Sequence, residues 1–190
     1  MALSGGDTSK RLQGEEPWLQ IAVAAALVER MRPNYQLFCE VTEREGEDAE
    51  VFSNLLQLVW EYASGTNTAI DFSRQQEKLE PITPDPAAYD MYGVWPALDA
   101  TVALAALLGA CERFDGDDIA SIHELSRATI DGFIDTCGEE PEGRALYEQE
   151  RQFLEEVVAA STSGSRREIV AAIRSVLGRW PQSNIGITLD

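Results

Sequence analysis

Two stretches of this 190-residue chain are apolar with almost no polar interruption, Trp18 to Val28 and Ala97 to Cys111. Only Gln20 breaks the first, and only Asp99 and Thr101 break the second. A helix that is hydrophobic all round cannot lie on a surface, so each run must be enclosed by other elements. Ala22, Ala24, Ala25 and Ala26 make the first slim, and Ala97, Ala100, Ala103, Ala105, Ala106, Gly109 and Ala110 do the same for the second. Small residues at this density let two helices approach closely. The two runs therefore define the middle of an all-α fold, and the rest of the chain must wrap them.

The remaining pattern predicts a single compact bundle of seven to eight helices over residues 15–190, preceded by a flexible polar segment, 1–14. Glu15, Glu16 and Pro17 suit the start of a first helix over about 16–32. Pro33 favours an extended residue before it and predicts a break. A short second helix, 34–44, then carries Tyr35, Leu37, Phe38 and Val41 on one face. A third runs from Glu47 or Asp48 to Tyr62, and Gly65 stops it. A fourth is predicted over 68–80 with Ile70, Phe72 and Leu79 as sparse anchors, followed by a loop containing Pro81, Pro84 and Pro86. Pro96 fits the first turn of the apolar fifth helix. Asp117 or Asp118 opens a sixth that runs to Cys137, with Ile119, Ile122, Leu125, Ile130 and Phe133 inward. Gly138 and Pro141 separate it from a seventh over about 141–160, carrying Leu146, Phe153, Leu154 and Val157. An eighth covers Arg166 to Trp180 and ends at Pro181. In the tail, 182–190, Ile185 and Ile187 are expected to dock on an apolar end of the bundle. The alternatives are exchange onto a second copy in a homodimer, or insertion into a partner.

Charge narrows the partners. Against 15 Lys and Arg stand 33 Asp and Glu, a formal net charge of −18. Such a field repels phosphate backbones, which excludes nucleic acid as a partner in the absence of a basic cluster. It suits solubility, or attraction to a basic protein. The first apolar run is shorter than the roughly 20 residues that span a bilayer, and no signal-cleavage pattern follows it. The protein is thus expected in the cytoplasm, with no membrane partner. Cys39, Cys111 and Cys137 form no C-x-x-C pair, so reduced thiols are expected.

Helical bundles often hold metals, but a carboxylate-bridged centre needs Glu-x-x-His pairs. The lone histidine, His123, is preceded at the required spacing by Ala120. No metal is expected, and His123 is assigned to the surface. Gly-x-Ser-x-Gly and phosphate-binding glycine loops are both absent, so no catalytic residue and no organic cofactor are predicted.

Three segments carry a resemblance. They are Glu29-Arg30-Met31-Arg32-Pro33-Asn34-Tyr35 with Phe38 after it, Ala97-Leu98-Asp99-Ala100, and Ser183-Asn184-Ile185-Gly186-Ile187. In order and spacing the chain resembles the YjaG-like family of bacterial proteins over roughly residues 15–190. Arg32 departs from the apolar residue expected there, and the stretch 139–165 matches only in being helical. The resemblance implies a compact helical cytosolic protein of unknown biochemical function, with a suggested association with histidine kinases and hence signalling.

The candidate contact residues are Arg30, Asn34, Tyr35 and Asp99. As structural residues, Arg30 would satisfy carbonyls at a helix end, Asn34 would cap the next helix and Tyr35 would pack. As functional ones they would bind a small anion or a partner, because arginine offers a planar fork of donors. Asp99 is costly to bury among apolar neighbours unless paired, and Arg30 is its expected counter-charge. Three functions follow as expectations. The first is a non-enzymatic interaction protein. The second is a small-molecule binder or hydrolase with a pocket near Arg30, Tyr35 and Asp99. The third is an acidic inhibitor or immunity protein for a basic partner.

Overall fold

The first apolar run is the start of a helix far longer than expected. In a computed structural model that describes residues 12, 14–44, 46–137 and 142–189, α1 spans Pro17–Val41 and passes through Pro33 without ending. The predicted break at Pro33 and the separate helix over 34–44 are therefore corrected. Proline inside a helix removes one hydrogen bond and crowds the carbonyl four residues earlier, at a cost of about 3 kcal/mol. Beyond it, however, Tyr35, Phe38 and Cys39 are all buried. Each large side chain gains roughly 1.5–3 kcal/mol on burial. Continuing the helix keeps all three on the core side, and that gain outweighs the defect.

The other helices surround α1. They are α2 (Glu47–Ser64), α3 (Phe72–Gln76), α4 (Val94–Glu112), α5 (Gly116–Cys137), α6 (Glu142–Ala160) and α7 (Arg166–Leu177). No strand occurs among the described residues. As the two apolar runs require, α1 packs most extensively on α4, and α5 covers α4. Among the described residues α4 is also the one helix long and apolar enough to cross a membrane, but most of that apolar window is buried by its neighbours. The cores of α1, α2, α4, α5, α6 and α7 join into one hydrophobic cluster.

Local signals explain most boundaries. Gly65 takes a left-handed conformation (φ 72°) and ends α2, whose last carbonyls also receive the Arg166 guanidinium. α7 begins with a capping box, in which Ser165 and Glu168 satisfy each other's backbone donors. The fourth helix is much shorter than 68–80. Asp71 caps it by accepting from the Arg74 amide at 3.0 Å, and Glu80–Ile82 and Pro86–Ala88 are short 3-10 turns. A sparse set of anchors could not hold a longer helix to the core. The eighth predicted helix stops at Leu177, short of Trp180. Residues 1–11, 13 and 138–141 lie outside the described residues, and with them most of the predicted N-terminal segment and the Gly138/Pro141 separator. The tail does dock. Ile185 is buried with Ile130 and Leu146, and Ile187 packs against the same cluster.

Candidate functional site

Charged residues on apolar helices must find partners, and Arg30 finds one on α6. Its Nη1 donates to Glu150 Oε2 in a very short ion pair. The guanidinium lies over the Phe153 ring (4.8 Å to the centroid) and over Trp180 (5.2 Å). Glu150 Oε1 accepts from Ser126 Oγ of α5 at 2.6 Å. Asn184, in the tail, donates through Nδ2 to the Ser126 carbonyl at 3.0 Å. Asn184 Oδ1 in turn accepts from Asn34 Nδ2 at 2.9 Å. A continuous polar network thus runs from Arg30 through Glu150, Ser126 and Asn184 back to Asn34. All five side chains are buried. Burial pulls the Arg30 guanidinium below its ordinary value, and the Glu150 charge works against that shift.

The tail is shaped to deliver Asn184. Gly186 adopts φ 83°, a conformation that side-chain-bearing residues avoid, and the chain turns back so that the Ser183 amide donates to the Ile187 carbonyl at 2.8 Å. Ser183 Oγ accepts from the amides of Ile185 (3.3 Å) and Ile187 (3.0 Å). Two of the three sequence segments singled out above, the Arg-x-x-Pro-Asn-Tyr corner and the Ser-Asn-Ile-Gly-Ile tail, therefore meet side by side.

The third segment does not join them. Asp99 accepts from Thr129 Oγ1 at 2.8 Å, and the Arg30–Asp99 pair expected from the sequence is not made. Burial raises the Asp99 carboxyl above its ordinary value, partly opposed by the Thr129 bond. Asp99 lines a cleft of about 810 Å³ walled by Tyr89, Met91, Tyr92 and Trp95, with Asp90 also on its lining. Trp95 is 54% exposed, a large aromatic face left open to solvent.

The other candidates resolve as follows. Asn34 lies within α1 and caps nothing; its side chain belongs to the network. Tyr35 is a core residue, stacked on Phe52 (centroids 4.9 Å apart) and donating to the Ile82 carbonyl at 2.8 Å, which ties down the proline-rich loop. Burial pushes its phenol well above the usual range. His123 is buried, not on the surface, and burial lowers its pKa to about 4. It is one of several inward positions of α5, shared with Ile119, Ile122, Ser126 and Ile130. No group of three or more metal-ligating side chains is found among the described residues.

Glu150, Ser126 and Trp180 were missed by sequence reasoning, yet a signal existed for the first two. Glu150 sits in register with Leu146, Phe153, Leu154 and Val157, an acid inside an apolar helical stripe. Ser126 interrupts the stripe of Ile119, Ile122 and Ile130 in the same way.

Comparison with known proteins matches residues 7–188 to a family described as a protein of unknown function, DUF416. An uncharacterized protein of Haemophilus influenzae is 40% identical over 148 residues, covering 78% of this chain and 74% of its own length. The uncharacterized protein YjaG of Escherichia coli K12 is 31% identical over 188 residues, covering 93% and 94%. A crystal structure of a DUF416 family protein from Shewanella baltica superposes with a TM-score of 0.82 at 31% identity, covering 95% of this chain and 98% of that one.

Proposed function

This chain belongs to the DUF416 family of proteins of unknown function, and from that premise we propose that it is a non-enzymatic binding protein that takes a cationic group of a protein partner into the Asp99 cleft. One observation carries the reading: a carboxylate on the lining of an open cleft whose walls are Tyr89, Tyr92 and Trp95. Aromatic faces attract cations through their quadrupole, by about 0.5–1 kcal/mol when exposed and about 2 when desolvated. A carboxylate adds charge-assisted hydrogen bonding. One lysine or arginine held in this way supplies only a few kcal/mol, so the affinity depends on further contacts around it. The net charge of −18 favours a basic partner and speeds its approach, and it disfavours nucleic acid. A cytoplasmic setting is part of the same proposal, as the free thiols of Cys39 and Cys111 suit a reducing compartment.

The test is a pull-down from the native host at low and physiological salt, with wild type and Trp95→Ala as baits. A partner with a basic binding segment should be retained by the wild type, weaken as salt rises and be lost with the variant. Recovering no partner at either salt, or one that ignores the Trp95 change, overturns the reading. Recovery of a histidine kinase would tie the protein to signalling; recovery of a basic toxin would favour the inhibitor role.

A further inference from the structure

Arg30 also lines a second cleft, of about 280 Å³, together with Glu29, Arg32, Arg174 and Trp180. We propose that it binds the oxyanion group of a small molecule, a phosphate or a carboxylate, through Arg30, Arg32 and Arg174.

Three observations carry this. First, Arg30 is 2% exposed, and while Nη1 is held by Glu150, neither Nε nor Nη2 has a hydrogen-bond partner among the described residues. Leaving buried donors of a charged group unsatisfied is costly, and an oxyanion accepting from both would remove that cost. Second, Arg174 makes no ion pair among the described residues and rests over Trp60, with its guanidinium 5.7 Å from the ring centroid. Third, the local charge is inverted relative to the rest of the chain. The three guanidinium groups face two carboxylates, Glu150 on Arg30 and Glu29 on Arg32 at 2.8 Å, which leaves one positive charge in a protein of net −18. Glu29 is held in place by Trp60 Nε1, which donates to its Oε2 at 3.1 Å. The Trp180 ring, already against Arg30, provides an apolar wall beside the anion. Guanidinium forks suit both planar carboxylates and tetrahedral phosphates, and the volume, at the small end of ligand pockets, suits a metabolite-sized molecule.

The site is independent of the Asp99 cleft and is tested separately. Inorganic phosphate and acetate are titrated into the full chain at constant ionic strength, with chloride as the reference. Binding is followed by calorimetry and by the NMR resonances of the arginine Nε–H groups. One of the two anions should shift the Arg30 Nε–H signal in a saturable way, and the tighter of the two identifies the oxyanion class. Arg174→Gln, a change at an exposed residue, should weaken that binding at least fivefold. Glu29→Gln removes a competing carboxylate while keeping an acceptor for Trp60, and should tighten it severalfold, a gain that misfolding cannot produce. If neither anion moves the Arg30 signal beyond chloride, or if Arg174→Gln binds as well as wild type, the proposal fails.

Discussion

The Arg30 corner and the Asp99 cleft solve one problem in two ways. Each places a charged residue among the packed, largely apolar side chains of a central helix. Arg30 is almost fully buried, ion-paired and linked to α5, α6 and the tail. Asp99 keeps one hydroxyl partner and a mouth open to solvent. A buried charge with an ion partner becomes part of the architecture, because removing the partner strands it. A half-buried charge with a neutral partner costs the fold something and stays available to a ligand. On this contrast the first charge is structural toward the network and the second is free to recognise.

The contrast can be broken by experiment. The largest effect is expected from Glu150→Ala, which leaves Arg30 buried without a counter-charge and should destabilise by about 3–5 kcal/mol in urea unfolding. Asp99→Asn should change stability by less than about 1 kcal/mol, and a loss as large as that of Glu150→Ala would erase the distinction.

Acid should act next most strongly, through His123 on the inward face of α5. Its pKa falls from an ordinary 6.5 to about 4 on folding. Between those values the unfolded chain binds the proton and the folded chain does not. Stability therefore falls as pH drops from 6.5 towards 4, by a few kcal/mol at most, on the order of 3. His123→Leu should flatten that part of the stability–pH curve; an unchanged slope would show that His123 is not shielded from water. Asp99 has the opposite sign. Its raised carboxyl favours the fold in acid and loses that contribution as pH rises through its folded value, so Asp99→Asn should gain relative to wild type on the alkaline side.

Asn184→Ala removes a donor and an acceptor between Asn34 and Ser126 and should cost about 1–3 kcal/mol, with faster amide exchange at Ile185 and Ile187. The smallest change in stability is expected from Trp95→Ala, within about 0.5 kcal/mol, because the ring is exposed. If the variant melts much earlier, the open aromatic face is a structural element and the cleft loses its claim to be a recognition surface.

The sequence made the helices and their central pair legible because burial leaves a periodic trace. Gly65 and the apolar stripes each act through neighbours in the chain, so local reading found them; the Ser165–Glu168 box is equally local but was not read. Pro33 misled because local rules price the proline alone. The aromatic burial that offsets it is a tertiary fact. Asp99 was legible as a charge that needed a partner and Arg30 as a candidate, but the actual partners, Thr129 and Glu150, were not. Asp99 looked suitable because it stood in the other apolar helix, whereas Glu150 was one acid among 33. Ser183 to Ile187 was read for its isoleucines, and its role in the network comes from Asn184, whose contacts lie 58 and 150 residues away in sequence.

Those separations have a consequence in time. Arg30 is paired with a residue 120 positions later in the chain. At a synthesis rate of about 5–20 residues per second, on the order of ten seconds pass between the appearance of Arg30 and that of Glu150. For that interval the nascent chain carries its longest helix with an unanswered charge near its middle, and Asn34 waits longer still. The pairings that make the finished core cohere are thus among the last that synthesis permits, well after the helix that carries Arg30 and Asn34 has been made.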